Sequence, residues 1–595
     1  MGEVSRKKLL EVFGYHSFRE GQEDIIDAVL DGQDQLVIMP TGGGKSLCYQ
    51  LPALLLPHLT IVISPLIALM EDQVAALRQL GISAGALHSG MEYEAKRDLE
   101  RQINDGSLTL LYIAPETMLQ ERMVEYLKDK KVSLVAIDEA HCVSVWGNDF
   151  RPEYTKLRLL KEIYPTTPWI ALTATADKAT QDEILDKLGL EDPRVTISSF
   201  ERGNITISCR PGQNRVDQIK RYVLDHESQS GIIYCLSRKS TERLSSKLSE
   251  IGVKSAYYHA GMDAMSRSRI QARFQNDEIH IICATIAFGM GIDKSNVRFV
   301  IHYNLPKNVE SYYQEIGRAG RDGLVSEALA FYSWADVMQL RRFIEESDVA
   351  TTFKNVQSAK LDRVWELVSS FGCRTNFILN YFGEYKSVSC GHCDNCLNPP
   401  ESFDGTIIAQ KALSAVARCR ESANLSQLMD VLKGAYKEEI KRLGFTGIKT
   451  FGAGRDLSYP EWREYITQLV NLGYITIDYT QSNHLKLTPL SSEVLKKGRK
   501  VQLFEYQKKK AAPIKQPKII EVEDDLFEII RKWRAGQARQ QGIPAYTILH
   551  DKTLRELSNT KPTDINQLED IDGIGKAKKA KYGEADPRVY CQQTT

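Results

Sequence analysis

Three consecutive glycines, Gly42, Gly43 and Gly44, separate an apolar run at 35–39 from a helix-forming stretch at 46–51. A short apolar run bounded by glycine reads as a buried parallel strand. Strand, glycine loop and helix, in that order, build a cradle for phosphate. Only residues without a Cβ let backbone N–H groups approach phosphate oxygens so closely. A helix starting near Lys45 turns its positive end to the same point. Thr41 leads into the loop, Lys45 brings a charge for the terminal phosphates, and Ser46 offers a hydroxyl to Mg²⁺. Met39 stands where the strict pattern has its first glycine, so the signal rests on the flanking elements. A second apolar run at 133–137 ends in Asp138 and Glu139. Open α/β sheets bind ligands beyond the C-terminal ends of their strands. There Asp138 is placed to hold Mg²⁺ and Glu139 to polarise an attacking water. Pair and cradle together predict a site that hydrolyses a nucleoside triphosphate.

A chain of 595 residues is too long for one core. Apolar and charged fractions of 42% and 26% are those of globular protein. Basic and acidic residues balance at 77 each, so any nucleic-acid track must be local. No apolar run is long enough to span a membrane, and the first residues lack the apolar core of a secretory signal. Eleven cysteines, an odd number, then point to a reducing compartment. Apolar runs alternate with helical patterns over 35–200 and again over 230–335. That predicts an α/β protein with two parallel-sheet lobes clamping one nucleotide, and a hinge near 200–230 where strands pause. A helical, cysteine-bearing stretch follows at 340–400. Helices and a hairpin at 474–479 and 484–488 come next. A Lys-rich linker and a small helical module complete the chain.

Further groups carry chemistry. Gln22, upstream of the cradle, presents donor and acceptor together and suits an adenine edge. Arg318 and Arg321 lie three apart among Gly317, Gly320 and Gly323. The glycines would only weaken a salt-bridged surface helix, so the arginines are expected to reach across the cleft to the γ-phosphate. Cys373, Cys390, Cys393 and Cys396 supply four thiolates for a tetrahedral, structural Zn²⁺ site. His392 competes as a ligand, and disulfides are the alternative. Trp146, Phe150 and Tyr154, with Arg151 among them, follow the carboxylate pair and read as an exposed loop on which bases stack. The rival reading makes them core.

Four further stretches, 64–70, 112–116, 173–176 and 284–293, complete a series in which residues 8–582 resemble the RecQ family of superfamily 2 DNA helicases. The resemblance implies two RecA-like lobes (1–200 and 201–338), a zinc-binding subdomain (339–401) and a winged helix (402–495). A basic linker (496–518) and an HRDC-like module (519–595) follow. The module looks incomplete, because 584–595 is polar and broken by Pro587. The resemblance makes Lys45, Ser46, Asp138 and Glu139 the ATPase core, Arg19 and Gln22 adenine readers, and Arg321 a finger with Arg318 beside it. It gives Trp146, Phe150 and Arg151 to the loop coupling single-strand binding to hydrolysis. The family usually has Gln at Val145 and His at Asn148, and Asn cannot become cationic. In the winged helix, Gly452, Gly454 and Arg455 look like a backbone nest for DNA phosphate, with Trp462 in the core. The implied activity is an ATP-, Mg²⁺- and Zn²⁺-containing DNA helicase moving 3′→5′ and opening duplex or forked DNA in recombination and repair. The implied setting is the bacterial cytoplasm at the nucleoid, with single-strand-binding protein as a candidate partner. An RNA helicase or duplex translocase, and a non-catalytic DNA-binding scaffold, are the rivals. Zinc loss is expected to harm duplex binding more than ATP chemistry, whose residues lie in other domains.

Overall fold

The computed structural model describes residues 2–88, 90–144, 151–227, 229–289, 294–386, 388–399, 401–478, 483–505, 525–562 and 564–582. In the first lobe the strands are β1 (Gln35–Ile38), β2 (Leu59–Ile63), β3 (Ala84–Leu87), β4 (Leu110–Ile113), β5 (Val132–Ile137), β6 (Trp169–Thr173) and β7 (Arg194–Ile197). They form one seven-stranded sheet in the order β3-β4-β2-β5-β6-β1-β7, with every pairing parallel. β1, β2, β4 and β6 are buried at every position. Helices cover both faces of such a sheet, so its inner strands read as unbroken apolar runs. Only β6 lies between β1 and β5, so the loops after these two strands leave the same edge side by side.

The second lobe repeats the plan with β8 (Ile205–Pro211), β9 (Ser230–Tyr234), β10 (Ser255–Tyr258), β11 (Ile281–Ala284), β12 (Val297–His302) and β13 (Ser326–Tyr332). The order is β10-β11-β9-β12-β13-β8, again parallel throughout. The expected pause in strands near 200–230 is corrected here. β8 occupies it as an edge strand with alternating burial, Ile205, Ile207 and Cys209 facing the core. An alternating strand carries too few apolar residues in a row to stand out as a run.

The helices Trp334–Glu346 and Thr351–Ser369 form a hairpin against the second lobe. Leu367 in its second helix, and Phe377 and Ile378 beyond it, belong to the same apolar cluster as Ile205 and Ile316. The winged helix is built on Leu413, Leu428, Trp462, Ile466 and Val494. Its hairpin pairs Ile475–Asp478 with His484–Leu487, and the tip lies outside the described residues. The Lys-rich stretch from 496 is not linker from its start. Val501 and Leu503 are buried, and Gln502–Phe504 pairs antiparallel with Ser402–Asp404. A lysine count hides two apolar residues placed at strand spacing.

The C-terminal helices Asp525–Gln541, Ala545–Ile548, Asp551–Thr560 and Lys576–Tyr582 surround their own core of Ile530, Ile548, Leu554 and Leu557. This module touches both lobes. Gly573 N donates to Gly14 O at 3.0 Å, and Lys581 Nζ to Gln79 Oε1 at 2.7 Å. On the second lobe, Arg534 pairs with Asp277 at 3.7 Å while holding Asp551 at 2.7 Å. Among the described residues no helix is long and apolar enough to cross a membrane.

Candidate nucleotide cleft and metal centre

The loop after β1 turns through Gly42 at φ +80° and Gly44 at φ +88°, a left-handed backbone that side chains resist. The helix that follows is Leu47–Ala53, two residues later than expected, though Leu47 N already donates to Gly44 O at 3.1 Å. Lys45 Nζ donates to Met39 O at 3.1 Å, across the mouth of the loop. Burial pushes its pKa down, against the pull of Glu139 and Asp138. Gln22 Nε2 donates to Gly43 O at 3.3 Å and Gly44 O at 3.2 Å, while its Oε1 accepts from Arg19 N at 2.8 Å. The Arg19 guanidinium donates to Gly42 O. Both expected adenine readers therefore rest on the phosphate loop itself.

Asp138 and Glu139 leave β5 beside this loop. Asp138 N is held by Ile63 O at 2.8 Å, and Tyr154 Oη donates to Asp138 O at 3.1 Å. Tyr154 is fully buried, which corrects its expected place on an exposed loop. Its ring fills the first-lobe core and its hydroxyl caps the carbonyl at the strand end. Glu139 adopts φ +49°, a costly conformation for a residue with a side chain and one found at functional sites. Burial and the adjacent Glu139 charge push the Asp138 pKa up. Burial also opposes ionisation of Glu139, but His141, Lys45 and Arg318 outweigh it and hold its pKa down. His141 Nδ1 lies 3.3 Å from Glu139 Oε2 and 3.0 Å from Thr173 Oγ1. Thr173 Oγ1 accepts from Thr175 N at 3.3 Å, and Thr175 Oγ1 accepts from Gln314 Nε2 of the second lobe at 3.1 Å. A series of polar contacts thus joins the carboxylates to Gln314, on the helix that leads into the arginine turn.

That helix, Val309–Ile316, ends at Gly317. The turn beyond it packs on the cradle: a Cβ at Gly317 would stand 3.2 Å from Thr41 Cβ, and one at Gly42 would stand 3.5 Å from Arg321 Cα. Arg318 is buried within the field of Glu139. Lys45, Asp138, Glu139, Arg318 and Arg321 therefore converge where the lobes meet. One residue escaped the sequence analysis. Arg202, in the link between β7 and β8, donates to Thr41 O of the cradle and, at 3.1 and 3.2 Å, to Ala319 O and Gly320 O of the arginine turn. No motif spacing marks it.

Of the residues expected to meet DNA, Trp146 and Phe150, with Val145 and Asn148, lie outside the described residues. Arg151 donates to Pro65 O at 2.9 Å and lies 3.7 Å from Glu116, so it ties together the stretches 64–70 and 112–116. The expected phosphate nest is corrected: Gly452 N and Gly454 N already donate to Val431 O and Leu432 O at 2.8 Å each. The turn uses its amides to hold the C-terminal end of the helix Leu425–Lys433. Arg455 remains exposed above it, and Trp462 is buried with Nε1 donating to Gly454 O at 2.6 Å.

The sulfurs of Cys373, Cys390, Cys393 and Cys396 all lie within 4.8 Å of one another. A tetrahedron with bonds of about 2.3 Å to zinc has edges of about 3.8 Å. Cys390 and Cys396 are 3.8 Å apart, so the four fit a zinc ion. Backbone N–H groups of Arg374, Asn376, Cys390 and Cys393 each reach a ligand sulfur at 3.4 Å, as donors that stabilise thiolates do. His392 turns instead to Cys390 O. Cys373 also caps the helix Arg374–Tyr381. At the far end of that helix Phe382 stacks on Phe200 of the interlobe link, 4.5 Å between centroids. Glu384 accepts from Ser199 Oγ and Phe200 N at 2.8 and 2.9 Å.

Known protein families match in the same order. Residues 19–184 match the DEAD/DEAH box helicases, 214–323 the helicase conserved C-terminal domain and 334–397 the RecQ zinc-binding domain. Residues 399–512 match the RQC domain and 523–585 the HRDC domain. Fold and cleft thus define a two-lobed helicase of the DEAD/DEAH class. The ATP-dependent DNA helicase RecQ of Haemophilus influenzae is 42% identical over 581 residues, 97% of this chain and 94% of that protein. Those of Pasteurella multocida and Bacillus subtilis are 42% and 38% identical, each over 98% of this chain and over 92% and 97% of the relative. The chain belongs to the RecQ family of DNA helicases.

Proposed function

We propose that the protein is an ATP- and Mg²⁺-dependent helicase that moves 3′→5′ along single-stranded DNA and separates duplex or forked DNA in recombination and repair. The observation that carries this reading is the meeting of the cradle at 41–46, the carboxylates Asp138 and Glu139, and the turn bearing Arg318 and Arg321 at one interlobe contact. In this reading Arg19 and Gln22 select adenine while touching the loop that holds the phosphates. Thr41, the three glycines and Lys45 hold the triphosphate. Ser46 and Asp138 offer the oxygens that suit Mg²⁺, which would neutralise phosphate charge. Glu139, kept ionised by its neighbours, orients the attacking water. Arg321, with Arg318 beside it, stabilises charge that develops on the γ-phosphate, an effect worth about 10³–10⁵ in rate for such fingers.

Closing the cleft brings the arginine turn onto the cradle, and opening it after hydrolysis moves one lobe along the strand. Stacking costs about 1.4 kcal/mol per base-pair step, so strand separation needs this coupling. The exposed Arg455 and the wing hairpin are proposed to face the duplex, and Trp146 and Phe150 the single strand. The setting proposed is the bacterial nucleoid, with single-strand-binding protein as partner. The test is unwinding of a forked DNA with labelled strands, run against an RNA fork and against Lys45→Ala. DNA forks should open only with ATP and Mg²⁺, from the 3′ tail, and the variant should bind DNA without hydrolysing ATP. Preferential opening of RNA, or hydrolysis by the variant, overturns the reading.

A further inference from the structure

The link between the lobes is short, and a single guanidinium on it touches both halves of the nucleotide cleft. Arg202 donates to Thr41 O, 161 residues before it, and to Gly317 O at 3.5 Å, Ala319 O at 3.1 Å and Gly320 O at 3.2 Å. Arg202 NH1 would be 3.4 Å from a Cβ on Gly42, so it lies against the loop that cradles phosphate. Among the described residues no carboxylate lies within ion-pair distance of this half-buried guanidinium. Its partners are carbonyl oxygens and Asn204 Oδ1 at 3.4 Å. Burial first, and then the nearby Arg321 and Arg19 charges, push its pKa down to about 10.

The backbone that carries it is held by the second lobe and by the zinc-binding segment. Phe200 packs in a three-ring cluster with Phe382 and Tyr313, and the Tyr313 hydroxyl donates to Phe200 O at 2.9 Å. Glu384 accepts from Ser199 and Phe200. Asn204 Nδ2 donates to Gly320 O at 2.8 Å and Leu324 O at 3.0 Å. The side chain is therefore aimed by a fixed segment rather than by its own flexibility.

We propose that Arg202 is a positioning residue of the nucleotide cleft, bridging the cradle and the arginine turn so that Arg318 and Arg321 face the phosphates at the separation hydrolysis needs. Its planar fork of donors serves carbonyls on both lobes at once, which a lysine ammonium cannot do with the same geometry. Its unpaired charge also favours a state in which phosphate oxygens stand nearby. The residue acts through the two elements it joins, and this rests on the reading of the cleft as an ATP site.

The test compares Arg202→Ala and Arg202→Lys with the full-length protein and with Lys45→Ala. DNA-stimulated ATP turnover gives kcat and KM, a fluorescent ATP analogue gives nucleotide affinity, and thermal unfolding reports folding. Both Arg202 variants should lose kcat by about tenfold or more while nucleotide affinity changes less than about threefold, because the first-lobe contacts remain. Failure of lysine to restore kcat is the readout that a charge-only role would not produce. Should Arg202→Ala fail to fold, Arg202→Lys carries the same comparison. A kcat within about twofold of wild type in a folded variant overturns the inference. So does affinity collapsing with kcat retained, or full rescue by lysine. Loss of ATP turnover in Lys45→Ala beside normal Arg202 variants refutes the inference alone. Turnover surviving in Lys45→Ala refutes the ATP-site reading on which it stands.

Discussion

Gly317→Ala separates stability from turnover at the interlobe contact. Gly317 has φ −61° and ψ −9°, a right-handed backbone that alanine adopts freely. Replacing glycine there restricts the unfolded chain, a gain of about 0.4–1 kcal/mol, while the added Cβ would also stand 3.1 Å from Tyr313 O in its own turn, so stability should stay within about 1 kcal/mol of wild type. The new Cβ, however, would stand 3.2 Å from Thr41 Cβ in the cradle. Carbon atoms prefer about 3.5–4.0 Å, so turn and cradle must part by about 0.3–0.8 Å. Thr41 Cβ is fixed by its own backbone, and no rotamer change can move it aside. If a misplacement of about 1 Å costs about 10² in rate, the expected loss in kcat is about 4- to 40-fold. Nucleotide affinity should change little, because the contacts of Lys45 with the cradle stay as they are. Thermal unfolding and DNA-stimulated phosphate release on the same preparation test both halves. A variant at least as stable as wild type with kcat within twofold would show that the cleft does not close on this contact.

Arg321→Ala should bind ATP with near-wild-type affinity and turn it over about 10³-fold or more slowly, since the finger acts on transition-state charge; a collapse in binding with normal turnover of bound ATP would contradict that role. Cys393→Ser should lose zinc by elemental analysis. ATP turnover should fall together with duplex binding, because the helix capped by Cys373 holds the interlobe link through Phe382 and Glu384. ATP turnover untouched in zinc-free protein would restore the simpler expectation that only duplex binding suffers. Arg534→Ala leaves Asp551 without its buried partner, a change that typically costs about 3–5 kcal/mol, while Asp277 keeps Lys294 at 2.6 Å. The C-terminal module should then be cut early in limited proteolysis, while the lobes keep hydrolysing ATP; an unchanged digestion pattern would argue against docking through this arginine.

Much of the cleft was legible because its chemistry imposes spacing. Phosphate demands glycines ahead of Lys45, and zinc demands Cys390, Cys393 and Cys396 at fixed steps, so both sites announce themselves along the chain. Arg202 obeys no such rule. Its partners come from Thr41 and from 317–320, and only the tertiary return of the link brings them to it. Tyr154 misled for the opposite reason. An aromatic residue beside a hydrolytic pair reads as exposed, yet its hydroxyl found a buried carbonyl acceptor in Asp138. The glycines at 452 and 454 have the composition of an anion nest, but two carbonyls of the helix Leu425–Lys433 take their amides first. β8 and Val501 with Leu503 were hidden by alternation and by lysines respectively, both cases where burial of every second residue leaves a weak trace.

The grip of Phe382 and Glu384 on the interlobe link has a bearing on how the molecule is made. Phe200 and Glu384 stand 184 residues apart in the chain. A ribosome adding about 5–20 residues per second needs on the order of ten to forty seconds to cover that distance. Throughout that interval the first lobe is already synthesised while the clasp on its outgoing link does not yet exist. The clasp itself can form only after residues 382–384, and with them the helix capped by Cys373, have emerged. A newborn chain therefore holds a phosphate loop well before the clasp on its outgoing link is complete.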